Sequence, residues 1–273
     1  MLDWLDALHA VLRAVHIGLG FVGLLLFWVV IGLRKGGPTH RRCGRWFVRC
    51  AYVVGGTGVV SSLWALVDVE SFAPLVRAAT DAARQEALRE MFRFLFAILL
   101  FLSVATVAGA VLGVELIRQR DVAAARRRPH VVFWQLFTVA TSLGLIALGV
   151  HGLLTDTASV PGTTATGYGL PWAAYWVPVG VGLFGAGAAL RELIGNSHLR
   201  GDPRDWLFKH VQQLCGTGVA FHTAFIVFGA GRLFGFQWSG PWVLVPWVAP
   251  PVIGMVLTAW YVRRLRRSSR FVA

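Results

Sequence analysis

The chain has 273 residues, of which 56% are hydrophobic and only 14% charged, with a mean hydropathy of +0.63 and a formal net charge of +13. A soluble domain averages about a quarter charged residues, so the composition excludes an ordinary globular protein and points to the lipid bilayer. The basic excess would suit nucleic acid if it formed one face of a soluble fold, but here it lies between apolar runs, and nucleic acid is excluded as a partner.

Seven apolar runs approach the roughly 20 residues that carry a helix across about 30 Å of hydrocarbon. They lack the period-two alternation of barrel strands and are about twice as long, so helices are the spanning form. The expected fold is an all-α integral membrane bundle of about seven transmembrane helices, forming one domain over residues 1–273. The first run, Val11–Leu33, is too long for the apolar region of a cleaved leader, no small-residue cleavage site follows it, and it is expected to remain. It holds His16, followed by the small residues of "HIGLGFVG". His9 lies seven residues earlier, on the same helical face.

Next comes "LRKGGPTHRRCGRWFVR", Leu33 to Arg49, with six basic residues and His40 between two apolar runs. The second run is Phe47–Val67. The following connection, Asp68 to Arg93, mixes both charge signs and is rich in Ala, Arg and Glu. Leu75, Ala79, Ala82, Ala83 and Glu86 fall near helical spacing, so residues 68–93 read as an amphipathic segment that caps the bundle or lies on the membrane surface. The third run, Phe94–Val114, leads to Glu115 and Arg118, and the fourth is Val131–Gly152. A Gly/Thr-rich connection, Thr155 to Pro171, has no periodicity and reads as a flexible cover. The fifth run, Pro171–Leu193, carries Glu192 beside Arg191. His210 and Gln213 share a helical face at the start of the sixth run, Val211–Gly231, which also contains His222. The seventh run, Trp242–Val262, ends in an Arg-rich tail.

Twenty of the 26 Lys and Arg residues fall on one side: in the connections at 34–49, 118–128 and 191–209, and in the tail at 263–270. The positive-inside rule then gives an N-out, C-in chain with an odd number of spans, and makes most of these arginines topogenic. Cys43, Cys50 and Cys215 lie on or near the cytoplasmic side, which excludes an exported disulfide framework. A repeat is suggested by "WFVRCAYVVGGTGVV" from Trp46 and "WLFKHVQQLCGTGVA" from Trp206, each with Gly-Thr-Gly ten residues after Trp. It would relate residues 11–114 to 171–262 as parallel repeats, with coincidence as the alternative because small residues are frequent in membrane helices. Either way, Gly56, Gly58, Gly216 and Gly218 mark faces where helices approach closely.

No Walker loop, nucleophile elbow or His-Glu-x-x-His is present. Carboxylates are nearly missing from the spans, and interfacial pairing explains Glu115 and Glu192, so histidine carries the candidate chemistry. His9, His16, His151 and His222 lie toward the outer side; His40, His130, His198 and His210 lie toward the inner side. His16 and His222 sit at similar estimated depth with small residues beside them. Two neutral imidazoles on facing helices can bind haem b axially, and imidazole also suits a transition metal. The alternatives are hydrogen-bonded helix contacts or a proton or substrate role. A second candidate set joins His210 to His40 and His130, with Cys50 nearby if the repeat holds; its alternative is ordinary interfacial anchoring.

His16 with its small residues, "KGGPTHRRCGRWF" at Lys35–Phe47, "WLFKHVQQLCGTGVAFHTAFIVF" at Trp206–Phe228 and "VPWVAPPVIG" at Val245–Gly254, closed by arginines, resemble a family of bacterial membrane proteins catalogued as a domain of unknown function, family 2306. The blocks cover under half of the chain; the His-Arg-x-x-Gly-Arg loop and the His-Thr-Ala-Phe span are the more specific parts. The resemblance implies a polytopic fold in the bacterial inner membrane and no assigned activity. His16, His40 and His210 match the family pattern and His222 does not, which shifts weight to His40 and His210. Three functions stay open: a His-ligated haem or metal-binding redox protein, a small-solute transporter, and an assembly or sensory subunit whose basic loops meet a partner membrane subunit or anionic lipid. Oligomeric state has no signature in the sequence.

Overall fold

The computed structural model describes residues 3–155, 172–195, 202–235 and 245–267, and all regular structure among them is helical. In chain order the helices are α1 (Asp3–Gly32), α2 (Pro38–Val67), the short α3 (Val69–Phe72) and α4 (Pro74–Ala78), α5 (Ala82–Gln119), the short α6 (Val122–Arg126), α7 (Pro129–Thr155), α8 (Trp176–Ile194), α9 (Asp205–Ala224), the short α10 (Gly231–Phe234) and α11 (Val245–Arg267). Seven of them, α1, α2, α5, α7, α8, α9 and α11, are long and apolar enough to cross a membrane. The chain is therefore an all-α, multi-pass membrane bundle. The connection at 156–171 and His198 lie outside the described residues.

Helix α5 is the hub. Its most apolar window is 61% buried, against 6% for α1, so α5 faces protein and α1 faces lipid. Around α5 pack α2, α7 and α9; α1 lies against α2, α8 against α7 and α11 against α9. Toward the arginine-rich end, Val107, Val111, Leu112 and Leu116 of α5 meet Val122, Ala125 and Val131. Toward the opposite end, Phe94, Ile98 and Phe101 meet Leu145, Val177 and Trp247. Without a hydrophobic driving force between helices in lipid, close packing at small residues has to supply the contact. Gly55 shows this: a Cβ there would come within 3.2 Å of the Ser103 carbonyl. Among the four glycines singled out by sequence, Gly58 lies against Ser103 and His16, and Gly218 lies against Phe27. Gly56 and Gly216 have open space where a Cβ would stand.

Two boundaries depart from expectation. Helix α2 begins at Pro38, nine residues before the apolar run, so His40 is helical and the turn shrinks to Leu33–Gly37. Charged residues end a hydropathy run without ending a helix, and Gly37 followed by Pro38 is a natural helix start. The segment at 68–93 is not one amphipathic helix. Asp81 accepts a hydrogen bond from the Arg84 amide at 3.0 Å and opens α5, which runs unbroken into the third span. The preceding α3 and α4 fold back instead, burying Val69, Ala73 and Val76 against Leu88 and Phe92. Leu75, expected on the apolar face, is exposed. The sixth span also changes register, through a π-helical turn at Phe225–Ala230.

Candidate functional site

The site begins with two glycines on α5, Gly109 and Gly113, four residues apart on one face. A Cβ at Gly109 would meet the Thr217 hydroxyl at 2.7 Å, and one at Gly113 would meet Leu214 at the same distance. A side chain at either position would have to push Thr217 or Leu214 aside for α9 to stay this close. The approach brings the His210 ring to α5, where Nδ1 donates to the Gly113 carbonyl at 2.7 Å. A carbonyl only accepts, so this bond puts the proton on Nδ1 and leaves Nε2 with its lone pair.

His40 is held by the same device from another helix. Its Nδ1 donates to the Val30 carbonyl, near the end of α1, at 3.3 Å. Lys35, in the α1–α2 turn, shares that acceptor: its amine donates to the carbonyls of Val30 at 2.9 Å and Ile31 at 2.5 Å. A cation at the C-terminal carbonyls of a helix is where the helix dipole favours it. Burial holds the Lys35 amine below the ordinary lysine range, opposed by the nearby Cys215 thiol. The Lys35 amine also lies 5.8 Å from the Tyr261 ring centroid on α11. His40 on α2 and His210 on α9 both lie toward the arginine-rich end of the bundle. Among the described residues, neither has a hydrogen-bond partner on Nε2.

The other histidines go elsewhere. His16 Nδ1 lies 3.0 Å from the Thr57 hydroxyl, whose own proton is directed at the carbonyls of Val53 and Val54, so the imidazole is the donor. In His222, Nδ1 donates to the Gly218 carbonyl at 2.7 Å and Nε2 accepts from the Trp28 indole at 3.0 Å, which engages both nitrogens. Trp28 is twelve residues beyond His16 on α1, about 18 Å along the axis at 1.5 Å per residue. The structure thus separates His16 from His222 rather than facing them across a common space. The His9 ring lies against Phe72 with centroids 4.1 Å apart, and His130 lies 3.4 Å from Glu115. Cys50 is buried near Gly23 of α1; Cys215 is the thiol close to Lys35.

Both inner carboxylates are buried, each about 5% exposed. Glu115 pairs with Arg118 at 2.9 Å, as its position predicts, and also meets Gln119 at 3.2 Å and Arg128 at 3.8 Å. Glu192 does not pair with its neighbour Arg191, because adjacent helical residues point about 100° apart. It takes Arg126 of α6 at 2.7 Å, Lys209 of α9 at 2.5 Å and Gln213 at 3.3 Å. Gln213 also stands against Gly109 and Gly113, so it shares the α5-facing side of α9 with His210, as the spacing predicts.

Sequence reasoning missed Gly109, Gly113, Lys35 and Cys215. The first two were legible as a Gly-x-x-x-Gly pair in an apolar run; the last two had no local signal. Among the described residues no three His, Cys, Asp or Glu side chains come together as a metal-binding group. The donor set at the arginine-rich end is therefore two imidazoles. No family model matches the chain, and neither a curated protein nor a solved structure matches it.

Proposed function

We propose that this membrane protein binds a redox group, a b-type haem or a transition metal, through the Nε2 atoms of His40 and His210. One observation carries the reading: among the described residues, each imidazole commits Nδ1 to a backbone carbonyl and leaves Nε2 without a hydrogen-bond partner. A ligating histidine almost always donates its other N–H to a carbonyl, carboxylate or water, which orients the ring and raises its basicity. Two imidazoles are enough to hold a b-type haem, whereas structural zinc takes four protein ligands and catalytic zinc takes three. The bound group would supply electron transfer. The protein's part is to orient the imidazoles from α2 and α9 and to surround them with the α1 terminus, Lys35 and Tyr261. By the arginine distribution this end is cytoplasmic, in a bacterial inner membrane, and the family 2306 resemblance, which includes both histidines, supports the choice of pair.

The test is an oxidised and dithionite-reduced absorption spectrum of detergent-purified protein, expressed with ample haem and iron, with elemental analysis of the same sample. A Soret band that disappears in both His40→Ala and His210→Ala and persists in His222→Ala is expected. A featureless, metal-free spectrum would overturn the proposal in favour of a cofactor-free carrier, checked by solute flux in proteoliposomes. Loss of the band in His16→Ala and His222→Ala alone would move the site to the other pair.

A further inference from the structure

Helices α2 and α7 flank α5 without closing against each other, and a cleft of about 510 Å³ remains between them. Its wall on α7 is one continuous stripe at positions 137, 140, 141, 144, 145 and 148, and Ala97 and Leu100 of α5 form part of the opposite wall. Eleven residues of helix rise about 16 Å, half of the roughly 30 Å hydrocarbon layer. The cleft is one leaflet deep.

Its chemistry is as simple as its shape. Thr141 turns its hydroxyl proton to the carbonyls of Phe137 and Thr138, so it offers no donor to an occupant. The one charged group is Arg93, which reaches the cleft beside Leu66, two residues before Asp68 caps α2. That places the guanidinium at the end of the cleft away from the arginine-rich side, at the level where α2 leaves the membrane. Arg93 is only loosely satisfied: its nearest carboxylate oxygen, on Glu86, is 4.0 Å away, while the other oxygen of Glu86 is held by Arg89 at 3.0 Å. Its side chain is half exposed. A planar fork of donors matches a phosphate oxygen pair.

We infer that the cleft between α2, α5 and α7 is a lipid site: an acyl chain of an anionic phospholipid lies along the α7 stripe and its phosphate pairs with Arg93. The charge selects an anionic amphiphile at the mouth, and the depth selects one chain of one leaflet.

The test uses the full-length protein in vesicles of phosphatidylcholine doped with a phosphatidylglycerol carrying a diazirine in its acyl chain, followed by peptide mapping of the cross-links. Labelling is expected on the peptide containing 137–148, about fivefold stronger than with the matched phosphatidylcholine probe, the effect of one basic residue on anionic-lipid binding. Arg93→Gln removes that preference, Arg93→Lys keeps part of it, and labelling near the arginine-rich end stays unchanged in both. Gly144→Phe, at a position where a side chain has open space, blocks labelling by either probe. Equal labelling by the two probes in the unaltered protein, or none at 137–148, would overturn the proposal whether or not the variants fold.

Discussion

Glu192 shows how a single residue at the end of a span departs from surface behaviour. Its carboxylate is about 5% exposed and meets two cations whose side chains are themselves only 12% and 14% exposed. Removing one partner of a buried pair leaves uncompensated charge and costs about 3–5 kcal/mol. Glu192→Gln strands both Arg126 and Lys209, and a loss of about 3 kcal/mol is expected, because the cluster lies at the end of the bundle. Glu86→Gln, whose carboxylate is half exposed, should cost less than about 1 kcal/mol. Denaturant titration in detergent micelles measures both, and equal losses would show that burial is not what distinguishes them. The histidines teach a related lesson. Which ring nitrogen keeps its lone pair is decided by the acceptor each finds, and nothing beside His222 in the sequence announces that both of its nitrogens are engaged.

At the scale of elements, the seam between α5 and α9 depends on the absence of side chains. Gly113→Val would place a branched side chain where Leu214 already stands 2.7 Å from a Cβ. Overpacking of this kind costs about 1–3 kcal/mol, and by pushing α9 away it lengthens the bond from His210 to the backbone carbonyl of position 113. Gly216→Ala, on α9 but facing open space, should be neutral or stabilising by up to about 1 kcal/mol through helix propensity. Thermal melts of the two variants, with the absorption spectrum of each, make the comparison. A Gly113→Val protein as stable as the parent would mean that α9 is not seated on α5 as described. The remaining elements follow local rules: α2 starts at Gly37–Pro38, α5 starts at the Asp81 cap, and α8 stops at Gly195, whose φ of 47° suits a residue without a Cβ.

For the whole molecule, seven spans and a one-sided distribution of arginine make an orientation prediction. A fluorescent protein fused after Ala273 should mature inside the cell, and alkaline phosphatase inserted at Ala79, between α4 and α5, should be active outside it. The reverse pattern would invert the bundle and put the His40–His210 site on the outer face. The hub arrangement matters to both proposals. Because α2, α7 and α9 all pack on α5, the close α5–α9 seam holds the histidines near one end, while the unclosed gap between α2 and α7 leaves the lipid cleft toward the other.

The number of spans and their helical form were legible in the sequence because both have local causes. Hydrocarbon thickness demands about 20 apolar residues, and a lipid-exposed backbone has to satisfy its hydrogen bonds within the segment. The same locality explains why Glu115 and Arg118, three residues apart, were paired correctly. The site was legible only as a set of histidines. His210 finds its acceptor 97 residues away at Gly113, Glu192 finds Arg126 66 residues away, and Trp28 reaches His222 across 194 residues. Depth estimated along separate helices put His16 and His222 together, but His222 meets Trp28, about 18 Å along α1 from His16. Small-residue seams set where one helix stands against another, and they are properties of packed pairs rather than of any one segment.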